Sequence, residues 1–271
     1  MFLLVLTACS EAVLPDYSPE LVVEGWIENG RSPVVIVTSS VPVSMEHRTL
    51  ESLADNLIRW ATVSVSDGER EVFLTGKINT DYFPPYIYTT SMLSGEIGKT
   101  YTLKVKYGGM EIEAQTTIPE PVGLSYIRAE KAGKDTYVLL AGLEDNQKSK
   151  DYYKFFTKIM GRDSVYRSSF MGLIDDISLD AGINDLQVFN GFSVSALQKD
   201  TLMYFNAGDK VRVRFCTLGE KEFEYWEDFD DIATLSRNAL FPVTKKIRSN
   251  IKGGLGYWAG YGSTYYYIGC E

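Results

Sequence analysis

Tyr101-Thr102-Leu103-Lys104-Val105-Lys106-Tyr107-Gly108-Gly109-Met110-Glu111-Ile112-Glu113-Ala114-Gln115-Thr116 alternates apolar and polar residues on both sides of a Gly-Gly pair. A period of two is that of a strand with one buried face. Two consecutive glycines favour a two-residue hairpin loop, because both central residues need positive φ. In the register set by that loop, Lys106 faces Glu111 and Lys104 faces Glu113 on the wet side. Val105 meets Ile112 on the dry side. Charge and apolar patterns agree, so the segment reads as an antiparallel hairpin.

The same logic extends outward. Ala61, Val63 and Val65 alternate, Asp67-Gly68 turns, and Val72 and Leu74 are expected opposite Val63 and Ala61. Further strands are read at Leu21–Ile27, Val34–Ser39 and Tyr86–Thr89, with a short helical insertion at Met45–Leu57. About seven strands at short spacing before Pro119 predict an immunoglobulin-like β-sandwich over residues 21–118. Ile118-Pro119-Glu120-Pro121 reads as extended, since two prolines cannot donate to a sheet, and places a linker at 119–122. A second β-rich domain is expected over 123–271, with strands at Leu124–Ala129, Thr136–Leu140, Tyr152–Met160, Leu186–Phe189 and Lys210–Cys216. In the last of these, Val211, Val213 and Phe215 face one way and Arg212 and Arg214 the other. Phe223, Trp226, Phe229 and Ile232 recur every third residue, predicting one longer helix near 219–237 whose many acids form its solvent face. Residues 161–209 are weakly patterned and read as long loops.

Composition narrows the function. The 271 residues carry a net charge of −9, against the cationic footprint of a nucleic-acid binder. No run of about 18 apolar residues offers a transmembrane helix. Met1-Phe2-Leu3-Leu4-Val5-Leu6-Thr7-Ala8-Cys9 is apolar and then small up to a cysteine, as at the end of a bacterial lipoprotein signal. Cys9 is therefore the expected lipidation site, followed by a tether over residues 10–20. A basic region before the apolar stretch is missing, so the start is expected to lie inside a longer precursor. Cys216 and Cys270 remain as one candidate disulfide pair, which sequence alone leaves open.

Candidate chemistry is sparse. Gly98-Lys99-Thr100 imitates a phosphate loop but leads into a strand rather than a helix, and reads as a turn. His47 is the single imidazole and lies in a charged stretch, which removes His-based triads and zinc sites. Asp176, Ser178 and Asp180 resemble a calcium loop, but Gly182 and Gln187 break its pattern. No cofactor or metal is expected. The run from Gly253 to Gly262 combines glycines, which permit close approach of another backbone, with aromatic residues. Tyr257, Trp258 and Tyr261 are the candidate contacts to a ligand or partner, the alternative being core packing around a bent strand. Tyr82-Phe83-Pro84-Pro85-Tyr86 is a second aromatic candidate.

Several ordered motifs carry a family resemblance: Leu21-Val22-Val23-Glu24-Gly25-Trp26-Ile27, Val65-Ser66-Asp67-Gly68, Thr116-Thr117-Ile118-Pro119-Glu120-Pro121, Tyr153-Lys154-Phe155-Phe156-Thr157-Lys158 and Asn250-Ile251-Lys252-Gly253-Gly254-Leu255-Gly256. The chain resembles the Bacteroidota lipoproteins catalogued as domain of unknown function 4249. That resemblance implies lipidation at Cys9 and a place beside TonB-dependent outer-membrane transporters. It implies no activity and no further site residue. The expectation is a non-enzymatic outer-membrane lipoprotein acting as a binding or accessory partner of such a transporter. A structural or adhesive surface protein and a carboxylate-based hydrolase are the alternatives.

Overall fold

The computed structural model describes residues 18–40, 56–144, 150–175, 183–191, 203–235 and 246–271. Cys9, His47, Asp176, Ser178, Asp180 and most of the insertion read at Met45–Leu57 lie outside the described residues. The protein is mainly β. Its first half holds β1 (Leu21–Glu28), β2 (Val34–Ser39), β3 (Thr62–Ser66), β4 (Glu71–Phe73), β5 (Thr75–Ile78), β6 (Tyr86–Thr89), β7 (Thr100–Tyr107) and β8 (Met110–Thr117). The second half holds β9 (Tyr126–Lys131), β10 (Thr136–Leu143), β11 (Tyr152–Ile159), β12 (Arg167–Asp175), β13 (Ile183–Val188), β14 (Phe205–Asn206) and β15 (Lys210–Leu218). The helix α1 (Glu220–Leu235) and a long last strand, β16 (Leu255–Gly269), follow.

The β7–β8 hairpin has the register its sequence dictates, with Lys104 opposite Glu113, Val105 opposite Ile112 and Lys106 opposite Glu111. The β3–β4 hairpin differs: Val72 pairs with Val65, not Val63. Its loop has four residues, because the Asp67 carboxylate accepts the N–H groups of Glu69 (3.1 Å) and Arg70 (2.9 Å). A shift of two residues keeps every side chain on its own face, so the core is unaffected. Residues 161–209 hold β12, β13 and β14 rather than long loops alone. The edge strand β12 hides its pattern because its pairing with β11 slips in register between Lys154 and Phe156, and Met171 sits at a φ of 52°.

Strand order across the largest sheet is β12-β11-β15-β16-β1-β2-β6-β5. Both halves of the chain therefore share it. β16 makes the join: residues 255–261 pair parallel with β1, and residues 262–269 pair antiparallel with β15. One face of this sheet packs on the sheet β4-β3-β7-β8 through Val23, Val35, Val63, Leu103, Ile112 and Trp258. Farther along, the same face packs on the β13-β10-β14 sheet, with β9 beside β10, through Leu139, Phe155, Val213, Phe215 and Phe205. The extended segment after Ile118 lies along β16, where the Val122 carbonyl accepts from Thr264 Oγ1 and the Leu124 N–H donates to Tyr266 Oη.

The glycines of β16 allow these approaches. A Cβ on Gly256, whose φ is +102°, would stand 1.9 Å from the Val23 carbonyl oxygen. One on Gly262 would stand 2.4 Å from the carbonyl oxygen of Pro119. Gly256→Ala is therefore expected to lower stability by about 3 kcal/mol or to prevent folding. Gly108→Ala, where φ is +56° and the added Cβ meets open space, is expected to cost about 1 kcal/mol. Urea denaturation of both variants checks this, and equal effects would contradict the close approach.

Candidate functional site

Alternation along β16 sends its even-numbered residues into the two cores and its odd-numbered ones, Tyr257, Tyr261 and Tyr265, to the opposite face of the large sheet. α1 covers part of that face. Phe223 stacks on Tyr152 (4.6 Å between ring centroids), Tyr225 stacks on Tyr257 (4.3 Å), and Trp226 meets Phe156 edge-on while its Nε1 donates to Tyr261 Oη at 3.1 Å.

The acids of α1 are not all at its solvent face, which corrects the sequence expectation. Glu222 and Asp228 are buried. Glu222 accepts the Thr116 hydroxyl at 2.6 Å, and Asp228 takes a fork from Arg248 at 2.8 and 3.0 Å. Asp230 pairs at 2.6 Å with Lys154, a lysine of β11 that is 0% exposed beneath α1. Burial pushes the Lys154 ammonium down and the Asp230 carboxyl up, and each charge opposes the shift of the other. A buried lysine without its partner would be an uncompensated charge, so the pair locks α1 to this face.

Beside α1 the face stays open as a cleft of about 1000 Å³, a size at the upper end of small-molecule sites. Its walls are α1, the turn at Gly30–Ser32, the turn at Asn79–Phe83 and the segment Ser164–Ser168. One rung of the sheet builds its floor. Ser168 on β12 pairs with Phe156 on β11, Phe156 with Arg214 on β15, and Arg214 with Tyr265 on β16. From β1, Glu28 reaches Arg214 at 2.7 Å and accepts the Tyr265 hydroxyl. The Arg214 guanidinium carbon lies 4.2 Å from the Phe156 ring centroid and 5.0 Å from that of Tyr166, so its charge is also held by ring faces. Arg31 stands 4.5 Å over Tyr265.

Burial alone would push the Glu28 carboxyl up. The Arg214 guanidinium and the Tyr265 hydrogen bond outweigh it and hold Glu28 below the usual carboxylate range. Glu24 also lines the cleft; solvent reaches it through the mouth, yet surrounding protein desolvates its carboxyl and pushes it up. The two acids lie four residues apart on one strand, a backbone separation of about 13 Å. Glu28 is committed to Arg214 and Tyr265, and Asp81 is a third acid at the wall.

The sequence profile of a family described as Domain of unknown function (DUF4249) matches residues 10–266, nearly the whole chain. The chain belongs to the DUF4249 family. No curated protein matches it. Among solved structures, it is similar to a DUF4785 family protein from Legionella pneumophila subsp. pneumophila at 9% identity and a TM-score of 0.20. That match covers 73% of this chain and 51% of the other, so the chain spans about half the length of that neighbour. At that TM-score the likeness carries no argument about fold or function.

In this DUF4249 chain the three aromatic candidates near the C-terminus separate. Trp258 is 0% exposed; it packs in the first core, and its Nε1 donates to the Tyr101 carbonyl at 3.0 Å. Its even position on β16 points it away from the cleft, which removes it as a contact. Tyr257 and Tyr261 line the cleft, although both are mostly covered by α1. Tyr82 and Phe83 form part of the wall, with Tyr82 5.9 Å from Trp26. Cys216 and Cys270 are free thiols. Cys216 pairs with Ser263 of β16, seven residues and about 23 Å along the strand from Cys270. Burial pushes Cys216 up to about 12 and Cys270 up to about 11, so neither supplies a thiolate near neutral pH. Among the described residues no group of three His, Cys, Asp or Glu could hold a metal ion.

Sequence reasoning missed Glu28, Arg214, Arg31 and Tyr166. The available signal was a charge within a strand that is apolar on its other face, as in Val211-Arg212-Val213-Arg214-Phe215. Because the folded-state value of Glu28 lies below the ordinary 4.5, its stabilisation is present above pH 4.5 and is lost as pH falls through the lowered value. Glu28→Gln is expected to be less stable than the wild type at neutral pH and to lose stability less steeply below pH 4.5, as followed by urea unfolding across pH.

Proposed function

We propose that this protein is a non-enzymatic lipoprotein, tethered to the outer membrane through Cys9, that binds a small molecule in the cleft as an accessory partner of a TonB-dependent transporter. The observation that carries the binding role is the open cleft of about 1000 Å³ on the face of the shared sheet, with a charged pair set among aromatic rings at its floor. Convergent polar groups within apolar walls are what a ligand site needs. Neither Cys216 nor Cys270 lines the cleft and burial keeps both thiols protonated, which favours recognition over thiolate-based turnover. For the first half we infer an immunoglobulin-like sandwich. In support, β1-β2-β6-β5 facing β4-β3-β7-β8 follows the A-B-E-D and C′-C-F-G strand orders of such domains. The outer-membrane address and the transporter rest on the lipoprotein-like stretch ending at Cys9 and on the family resemblance.

Val34 lines the cleft from β2, and Val34→Trp fills part of its space. Native mass spectrometry of the protein purified from its own membranes is expected to find a small organic molecule on the wild type and none on Val34→Trp, with matching circular dichroism. Absence of ligand from both, or turnover of any compound abolished by replacing Glu24 or Glu28, would overturn the binding role. For the address, Cys9→Ala in a precursor with a complete signal is expected to move the protein from the membrane to the soluble fraction. Stable anchoring needs at least two acyl chains, and replacing Cys9 removes the residue that would carry them. Retention of Cys9→Ala in the membrane fraction would refute the anchor.

A further inference from the structure

We infer that the cleft takes an organic anion, its acidic group at the Arg31–Arg214 end and its apolar body along Trp26, Tyr82 and Phe83. This rests on the binding role proposed for the same cleft and adds the ligand's chemistry.

Charge is the first support. Arg212 and Arg214 flank the Tyr166 ring at 5.8 and 5.0 Å, Tyr166 lies 6.0 Å from Tyr265, and Arg31 covers Tyr265 at 4.5 Å. Three guanidinium groups thus meet around two neighbouring rings. Among the described residues, Glu28 is the one carboxylate that makes an ion pair with any of them. In a chain of net charge −9 this local excess of positive charge is not a product of composition.

Unpaired polar groups are the second. Arg212 Nε, Arg214 Nε, Tyr166 Oη and Ser168 Oγ are buried with no hydrogen-bond partner among the described residues. The Arg214 side chain is only 9% exposed, and Arg214, Tyr166 and Ser168 all line the cleft. Buried donors left unmatched are costly and few in native proteins. These atoms are themselves sealed from solvent and mark a polar, incompletely satisfied floor; beside surplus cations, such a floor suits a ligand that is rich in acceptors and negatively charged. Carboxylate, sulfonate and phosphate groups have that chemistry, and a guanidinium binds them by paired N–H donors.

Shape is the third. An inorganic anion would occupy the charged end and leave the aromatic walls wet. Trp26 and Tyr82 lie 5.9 Å apart, and Phe83 is 49% exposed at the wall. A cleft of about 1000 Å³ has room for an apolar body as well as the acidic group.

Two probes that differ only in a sulfonate group test this. 8-Anilinonaphthalene-1-sulfonate is anionic, and N-phenyl-1-naphthylamine has the same rings without the sulfonate. Titrated calorimetrically into the full chain, the anionic probe is expected to bind about tenfold tighter than the neutral one. Arg31→Gln, in an exterior turn, is expected to remove about tenfold from the anionic probe and leave the neutral one unchanged. Val34→Trp should weaken both. The double variant Glu28→Leu, Arg214→Met, which leaves no unpaired buried charge, is expected to abolish the preference for the anion while keeping the circular dichroism of the wild type. Equal binding of the two probes, or an anionic preference untouched by Arg31→Gln and by the double variant, overturns the anion inference and leaves the cleft as a binding site. Binding of neither probe, or binding indifferent to Val34→Trp, overturns the binding role together with the anion.

Discussion

Everything in this fold depends on β16 serving two sheet partners in succession. Its first seven residues run parallel to β1, a strand more than two hundred residues earlier, and its remainder runs antiparallel to β15. A strand has two hydrogen-bonding edges and two faces, and β16 uses all four. Its edges join the halves of the chain into one sheet. One face closes both cores, and the other makes the bed on which α1 and the cleft lie. Glycines at 256, 260 and 262 are the condition for this, since the carbonyls of Val23, Thr117 and Pro119 come to where a Cβ would stand.

A sheet packed on one face and partly covered on the other leaves charged residues on its inner strands with little access to bulk water. Lys154, Glu28 and Arg214 are such residues, and each is answered within the fold. Lys154 meets Asp230 of α1, so the helix that covers the sheet also neutralises it. Glu28 and Arg214 meet each other across the join made by β16, with Tyr265 donating to the carboxylate. Taking such charges out of water is expensive, and a pair of this kind is weak evidence for stability alone. At a cleft floor it is better understood as preorganised polarity, held in place by ring faces on one side and by strand register on the other.

The difference between the two ion pairs follows from what covers them. Trp226 of α1 lies over Lys154, with Phe229 edge-on beside it, and covers that part of the face. The helix does not extend across Arg214, where Tyr166 and the turns at 30–32 and 79–83 form a rim instead. The same sheet face therefore carries a closed ionic lock and an open ionic floor side by side. Aromatic residues on the rim keep the open part amphipathic, which suits an elongated ligand with one charged end.

Local patterning determined much of this protein. The hairpin at 100–117 was legible to the residue because its loop, its charges and its apolar face all specify one register. The strands at 34–39 and 86–89 and the helix at 220–235 were legible because side-chain patterning acts within a few residues. The β3–β4 register was not, since Asp67 lengthened the loop through its own side chain. β12 was hidden by a slip in its pairing. The site was decided by tertiary structure alone. Tyr257, Trp258 and Tyr261 look alike in sequence, and only the pairing of β16 with β1 and β15 sets which of them faces the core and which the cleft. Glu28 and Arg214 are 186 residues apart. Neither carries a local sign of the other, and the physical reason is that a strand's pattern states how many faces are apolar, but not which distant strand its polar face will meet.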